Sequence, residues 1–254
     1  MLMVNQLIGF AVGGDSAFAV DAVVFDGTND YALRGADLTG NAAGKQGIVS
    51  AWVKFNGGDG TEQVIWQSGT EQVRILKDAS NKIQVFGRTS AGAAIMNATS
   101  STAYTTASGW IHVLCSWNLN TPGGWLYIND ADDLDTATDI FLNTANIDYN
   151  QSNHAMGART AADRKFNGDV AELYINYATS LDLSVEANRR KFRGSDAKPV
   201  DLGATGATPT GSQPIGYFSV RPGDAATVFA ANKGSGGNFT ITGTLAISAF
   251  SPSD

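Results

Sequence analysis

The 254-residue sequence predicts an all-β fold, a sandwich of two antiparallel sheets. Three observations carry that expectation. Short runs with apolar residues at every second position recur along the chain, clusters of Gly, Asn, Asp and Ser separate them, and a single stretch carries the start and stop signals of a helix. A chain of this length buries roughly three quarters of its unfolded surface, so it needs no disulfide staples.

The first element is the turn Phe25-Asp26-Gly27-Thr28-Asn29-Asp30-Tyr31, a glycine turn between strand-forming residues. Ile48 to Phe55 alternates most clearly, placing Val49, Ala51, Val53 and Phe55 on one buried face. Similar runs follow at Gln63–Trp66, Gln72–Leu76, Lys82–Gly87, Trp110–Trp117, Trp125–Ile128 and Val170–Tyr177. Asn56-Gly57-Gly58-Asp59-Gly60 and Asp78-Ala79-Ser80-Asn81 have hairpin composition, and Asn129-Asp130 tolerates the positive φ of a strand-closing turn. The alternation directs Val49, Val53, Ile111, Val113, Leu173 and Ile175 inward.

The one predicted helix runs from about Ser184 to Arg193: a Ser cap, Glu186 in the first turn, Arg189-Arg190-Lys191 in the last, and Gly194 after it. Its cations complement the helix dipole. Residues 181–214 then form the helix and a polar surface loop rich in Gly, Pro and Thr. Within 215–254, Ile215–Val220, Thr227–Ala230 and Asn238–Ile247 read as strands returning to the same sandwich, because an autonomous domain of some 50 residues without metal or disulfide would be marginal. Residues 21–254 are thus expected to be one domain.

Residues 1–20 are set apart. Leu2 to Val12 is uncharged, apolar and glycine-containing, and must be buried somewhere: as an edge strand of its own sandwich, or as an arm in which Leu2, Val4, Leu7, Ile8, Phe10 and Val12 dock on a neighbouring subunit. The segment imitates a secretory leader, but no Lys or Arg precedes Arg34, so the basic flank is missing and synthesis in a cytoplasm is expected.

Composition excludes several classes. At a formal charge of −7, with no basic run longer than Arg189-Arg190-Lys191, neither nucleic-acid nor anionic-membrane binding is expected. Cys115, the single cysteine, sits in an apolar run and reads as a small buried hydrophobe. His112 lies three positions away on the opposite strand face, so the two form no catalytic pair. His154, in a polar stretch, reads as a solvated loop residue.

Phe25-Asp26-Gly27-Thr28-Asn29-Asp30-Tyr31, Ser50-Ala51-Trp52-Val53-Lys54, Gly109-Trp110-Ile111-His112-Val113, Leu126-Tyr127-Ile128-Asn129-Asp130 and Phe166-Asn167-Gly168-Asp169-Val170-Ala171-Glu172-Leu173 together resemble the laminin-G-like, concanavalin A-like lectin/glucanase superfamily over roughly residues 20 to 180. That resemblance implies a jelly roll. Leu183 to Phe192, Lys198 to Gly203 and Asn232 to Phe239 resemble the C-terminal extension of such domains in virion proteins of tailed bacteriophages. The implied role is a non-enzymatic structural protein of the phage virion, a capsid decoration protein or a head or tail appendage, made in the host cytoplasm. Other virion proteins and further copies of the chain would be its partners. The alternative is a carbohydrate-binding module for receptor binding or adhesion.

The glucanases of the superfamily carry a Glu-x-Asp-x-Glu-like motif that sets nucleophile and acid close together. Here the only glutamates are Glu62, Glu71, Glu172 and Glu186, none with another at that spacing, and Asp169 and Glu172 would face opposite ways on a regular strand. Hydrolysis is not expected. For the lectin alternative, Trp66 and Trp125 lie beside turns and are the candidate sugar-stacking platforms. Asn129 to Asp135 concentrates oxygen ligands, but Leu134 stands where an EF-hand places a ligand and no Glu closes the loop. Two readings stay open there: a solvated acidic hairpin, or a calcium site built from Asp130, Asp132, Asp133 and Asp135.

Overall fold

The structure, a computed structural model, describes residues 18–254. The proposed docking residues Leu2, Val4, Leu7, Ile8, Phe10 and Val12 lie outside the described residues. In chain order the strands are β1 (Val23–Asp26), β2 (Tyr31–Arg34), β3 (Gln46–Phe55), β4 (Gln63–Ser68), β5 (Val73–Lys77), β6 (Lys82–Arg88), β7 (Ala94–Ala103) and β8 (Trp110–Asn118). They continue as β9 (Gly123–Ile128), β10 (Ala131–Asp132), β11 (Ile140–Phe141), β12 (His154–Met156) and β13 (Asn167–Asn176). Helix α1 (Glu186–Arg189) follows, then β14 (Gly216–Phe218), β15 (Thr240–Thr242) and β16 (Ala246–Ile247).

Two antiparallel sheets result. The first has the order β10-β9-β8-β3-β13-β1-β16, with β14 also paired to β13; the second has the order β11-β7-β6-β5-β4-β12-β2-β15. Consecutive numbers are interrupted at β3-β13-β1 and β4-β12-β2, so the chain repeatedly crosses between layers as a jelly roll requires. The two signature turns of the sequence are neighbours: Phe25 pairs with Gly168 and Asp26 with Asn167, and the Phe25 and Phe166 rings meet edge to face at 6.1 Å. Gly27, at φ +70°, lies so close to Asn167 that a Cβ there would fall 2.6 Å from the Asn167 Cβ. Asp26 closes the turn by accepting the N–H groups of Thr28, Asn29 and Asp30 at 2.7, 2.9 and 3.0 Å.

Between the sheets lies the main core, and Val49, Val53, Ile111, Val113, Leu173 and Ile175 are all in it. Its polar atoms are paired in a chain. Tyr149 and Tyr177 stack with ring centres 4.0 Å apart; Trp117 donates its indole N–H to the Tyr149 hydroxyl at 3.0 Å, and Trp66 donates to that of Tyr177 at 3.1 Å. Cys115 is buried in the same core, where desolvation pushes its thiol well above the ordinary range.

A second apolar cluster covers the opposite face of the first sheet. Ile48, Leu114, Tyr127, Tyr174 and Tyr217 project outward there and are sealed by Leu183, Phe192 and Leu202. The loop after the predicted helix, expected to be polar surface, therefore contributes core through Leu202, which with Leu183 and Phe192 closes a face that antiparallel sheets otherwise leave to water.

Other expectations are corrected. The regular helix is one turn, Glu186–Arg189, not Ser184–Arg193, and its cap is Val185; the Ser184 hydroxyl donates instead to Asp182 at 2.5 Å. Arg189 and Arg190 do more than complement a dipole, since both grip Asp130, at 2.5 and 2.7 Å. Thr227–Ala230 lies within a 3₁₀ turn, Ala226–Ala230, whose buried Ala226, Phe229 and Ala230 follow helical rather than strand spacing. Asn238–Ile247 is broken at Gly243, φ +86°, into β15 and β16. His154 is no solvated loop residue: it is fully buried in β12, with its Nε2 3.3 Å from Asp37.

Candidate functional site

Loops from both sheets meet at the end of the sandwich where β3 begins, β13 ends and β14 begins. Between them is a cleft of about 290 Å³ lined by Gly40, Asn41, Ala42, Ala43, Gly44, Asn176, Tyr177, Ala178, Gln213, Ile215 and Ser235. Each wall is tied down locally. Gly44 exchanges both of its backbone bonds with Ile147, at 3.1 and 2.8 Å, while Thr39 N–H reaches Gly236 O at 3.0 Å. The Asn41 amide donates to Asp37 Oδ1 at 3.1 Å and to the carbonyl of Tyr149. Asn176 accepts the Ala178 N–H at 2.9 Å and donates to the Tyr174 hydroxyl at 3.2 Å; Gln213 donates to Lys233 O at 2.9 Å.

The chemistry of this cleft is neutral. Its polar side chains are three amides, the Ser235 hydroxyl and the Tyr177 phenol, and burial pushes that phenol above its ordinary range, so it stays protonated. Amides both donate and accept, and Ile215 and the alanines supply apolar contact beside them. Asn41 Oδ1 has no hydrogen-bond partner among the described residues. Such a lining suits an uncharged polyhydroxylated ligand, whose hydroxyls also both donate and accept, better than an ion.

The residues singled out in the sequence lie elsewhere. Trp66 is fully buried, its ring packed against His154, Phe218 and Phe239, so it offers no face to a sugar. The bulge between Val64 and Trp66 turns it into the core although it lies near a turn. Trp125 is half-buried against the outer-face cluster, away from the cleft. The four aspartates do not converge. Asp130 is held by Arg189 and Arg190, which keep its carboxyl below the usual range against the upward pull of burial. Asp133 is buried and accepts from Ser101, Thr102 and Tyr104. Asp135 pairs with Lys82 at 2.8 Å, and Asp132 is exposed. No group of three metal-ligating side chains exists among the described residues. The acidic hairpin is thus neither the assembled calcium site nor the simply solvated turn: three of its four aspartates fasten neighbouring segments.

Two other constellations join residues whose partners the sequence does not reveal. Ser50 and His112 share a 2.9 Å hydrogen bond across β3 and β8, with the Trp52 ring 4.8 Å from the imidazole. Burial, with Arg193 nearby, lowers the His112 pKa to about 3, a poor value for a general base. Glu172 sits at a bulge of β13 with φ +50°. It accepts from the Tyr217 hydroxyl at 2.7 Å and from Arg221 at 2.5 Å, while Asp169 binds Asn56 and Lys54. The two carboxylates answer to separate partners. The cleft's amides carried no signal in the sequence, since Asn and Gln in glycine-rich loops read as ordinary turn residues.

The fold has relatives of known structure. A candidate carbohydrate-binding protein from Bacteroides ovatus aligns over 91% of this chain and 60% of its own with a TM-score of 0.63 at 12% identity, so the chain spans about three fifths of that protein. The heptameric SAP-like pentraxin of Limulus polyphemus aligns over 65% of this chain and 78% of its own, at 12% identity and a TM-score of 0.43. The CBM40 of the Ruminococcus gnavus IT-sialidase, solved with α2,3-sialyllactose, aligns over 60% of this chain and 90% of its own, at 12% identity and a TM-score of 0.45. No curated protein matches the chain. Residues 25–182 match a family model, and this stretch runs from the first signature strand past the second, through most of both sheets: the chain belongs to the concanavalin A-like lectin/glucanases superfamily.

Proposed function

We propose that the protein is a non-catalytic carbohydrate-recognition module that binds an uncharged sugar in the cleft at the β3/β13 end. The observation that carries this reading is the lining: three amides and a hydroxyl beside apolar surface, with no carboxylate or cation. The Bacteroides protein, described as a candidate for carbohydrate binding, lends support through its fold. Absence of catalysis is part of the proposal. Glu172 is buried and committed to Arg221 and Tyr217, and burial raises its pKa, leaving no second free carboxylate beside it to divide the roles of nucleophile and acid.

A glycan array tests recognition directly. Ala43 is exposed on the cleft wall, so Ala43→Arg should fill the site and abolish binding while leaving the circular dichroism spectrum unchanged. An array without hits for the parent chain refutes the proposal. Release of reducing ends from a β-glucan, lost in Glu172→Gln, refutes the non-catalytic part.

A second reading is a structural module of a tailed-phage virion, joined to capsid or tail proteins and to copies of itself. Its support is the resemblance of Leu183–Phe192, Lys198–Gly203 and Asn232–Phe239 to virion proteins, together with the exposed apolar Ile247 in the last strand and Phe250 just after it. Detection of the chain at stoichiometric copy number in purified particles would favour it, and its absence there would remove it.

A further inference from the structure

A second cleft, sharing no lining residue with the first, is walled by Phe18, Asp201, Gly203, Ala204, Arg221 and Lys233 and has a volume of about 430 Å³. Its chemistry differs from the first. Beneath it lies the Glu172 bulge, where a non-glycine residue adopts a left-handed conformation inside a ten-residue strand and carries a buried carboxylate. Such a position is strained for a residue other than glycine.

The charges do not cancel evenly. Arg221 spends its guanidinium on Glu172 and on the Tyr217 hydroxyl, and stacks its face over the Phe18 ring at 4.6 Å. Asp224 accepts the Arg221 backbone N–H at 2.9 Å, and Asp201, exposed at the rim, accepts that of Gly203 at 2.8 Å. Lys233 is left over. Its ammonium donates to Ser219 Oγ at 2.7 Å and has no carboxylate within salt-bridge distance among the described residues. Desolvation first, then the adjacent Arg221, hold its pKa below the ordinary value, outweighing Glu172 and Asp224.

We infer that this cleft takes the carboxylate of an acidic sugar residue, which would pair with Lys233 while its ring packs on Phe18. The ammonium has donors to spare, and a charge-assisted bond in a half-buried cleft is stronger than a neutral one. An aromatic wall matches the apolar face of a pyranose. The inference rests on the carbohydrate reading but uses a different cleft, so the two can fail separately.

Titration calorimetry of the full chain with D-glucuronate, D-glucuronamide, D-glucose and acetate decides it. Glucuronate should bind and the two neutral sugars should not, with affinity falling as salt rises. Lys233→Gln should weaken glucuronate about tenfold or more, the loss of one charge-assisted bond. Asp201→Asn, which removes a like charge yet can still accept from Gly203, should tighten it. That gain separates a lost site from a lost fold. Ala43→Arg, which blocks the first cleft, should leave glucuronate binding intact. Equal binding by Lys233→Gln, acetate binding as well as glucuronate, or no binding of glucuronate at all would overturn the assignment.

Discussion

Burial sets the charge state of both histidines. His112 and His154 are buried, and desolvation lowers both pKa values from the ordinary 6.5, to about 3 for His112. The unfolded chain binds a proton at each below about pH 6.5, while the folded His112 ring stays neutral down to about pH 3 and the folded His154 ring takes its proton at a lower pH than the unfolded one. Stability contributed by the neutral rings is therefore complete above pH 6.5 and is lost as the pH falls, at about 1.4 kcal/mol per pH unit while a ring stays neutral, down to about pH 3 for His112. Urea midpoints from pH 7 to pH 4.5 should show the slope, and His112→Gln should reduce it; an unchanged slope would mean the ring titrates normally in the fold. At Glu172 the expectation is a loss on mutation. Glu172→Ala relieves nothing sterically, because alanine is strained at φ +50° too, and it strips the buried partner from Arg221 and Tyr217. A fully buried pair would cost 3–5 kcal/mol to break. With Arg221 28% exposed, about 2 kcal/mol is expected in chemical denaturation, and a change under 0.5 kcal/mol would show that the network is not holding the bulge.

At the scale of elements, legibility follows from periodicity. β3, β8 and β13 were readable because each alternates strongly and pairs on both sides, and the core residues named from that pattern are in the core. β7 was not. Ala94 to Ala103 is mostly small and polar, and its pairing partners β6 and β11, rather than its own composition, hold it extended. The helix is shorter than its cap signal and basic C-terminus predict, because Phe192 lies beyond its one regular turn and packs on Tyr174, 5.2 Å away centre to centre. The site was less legible than the fold. Trp66 lies near a turn, yet a bulge turns it into the core; the aspartates are close in sequence, yet Asp130, Asp133 and Asp135 each meet a different segment and Asp132 is exposed. This element has its own test. Phe192→Ala opens the outer-face cluster and should cost about 3 kcal/mol, and a loss below 1 kcal/mol would mean that the 181–202 segment covers the sheet without stabilising it.

On the scale of the whole molecule, the C-terminal strands determine whether the sandwich is one cooperative body. β14 pairs with β13 in the first sheet, β15 with β2 in the second, and β16 with β1 back in the first. The chain changes sheet at Gly243, where Thr244 N–H binds the Asp30 carboxylate at 2.7 Å and a Cβ on residue 243 would strike that carboxylate. Beyond β16, Ser251 and Ser253 bond to the backbone of Val20, joining the far end of the chain to the first described strand region. A tail stitched into both layers is expected to unfold together with them, because its removal exposes Phe239 and Leu245, both part of the shared core. Heating should therefore give a single transition whose calorimetric and van't Hoff enthalpies agree, with tryptophan fluorescence and circular dichroism changing together. Removing residues 239–254 should leave the remainder unable to fold stably rather than produce a smaller folded domain. A folded truncation, or a C-terminal transition resolved at lower temperature, would make the tail a separate unit packed against an autonomous sandwich.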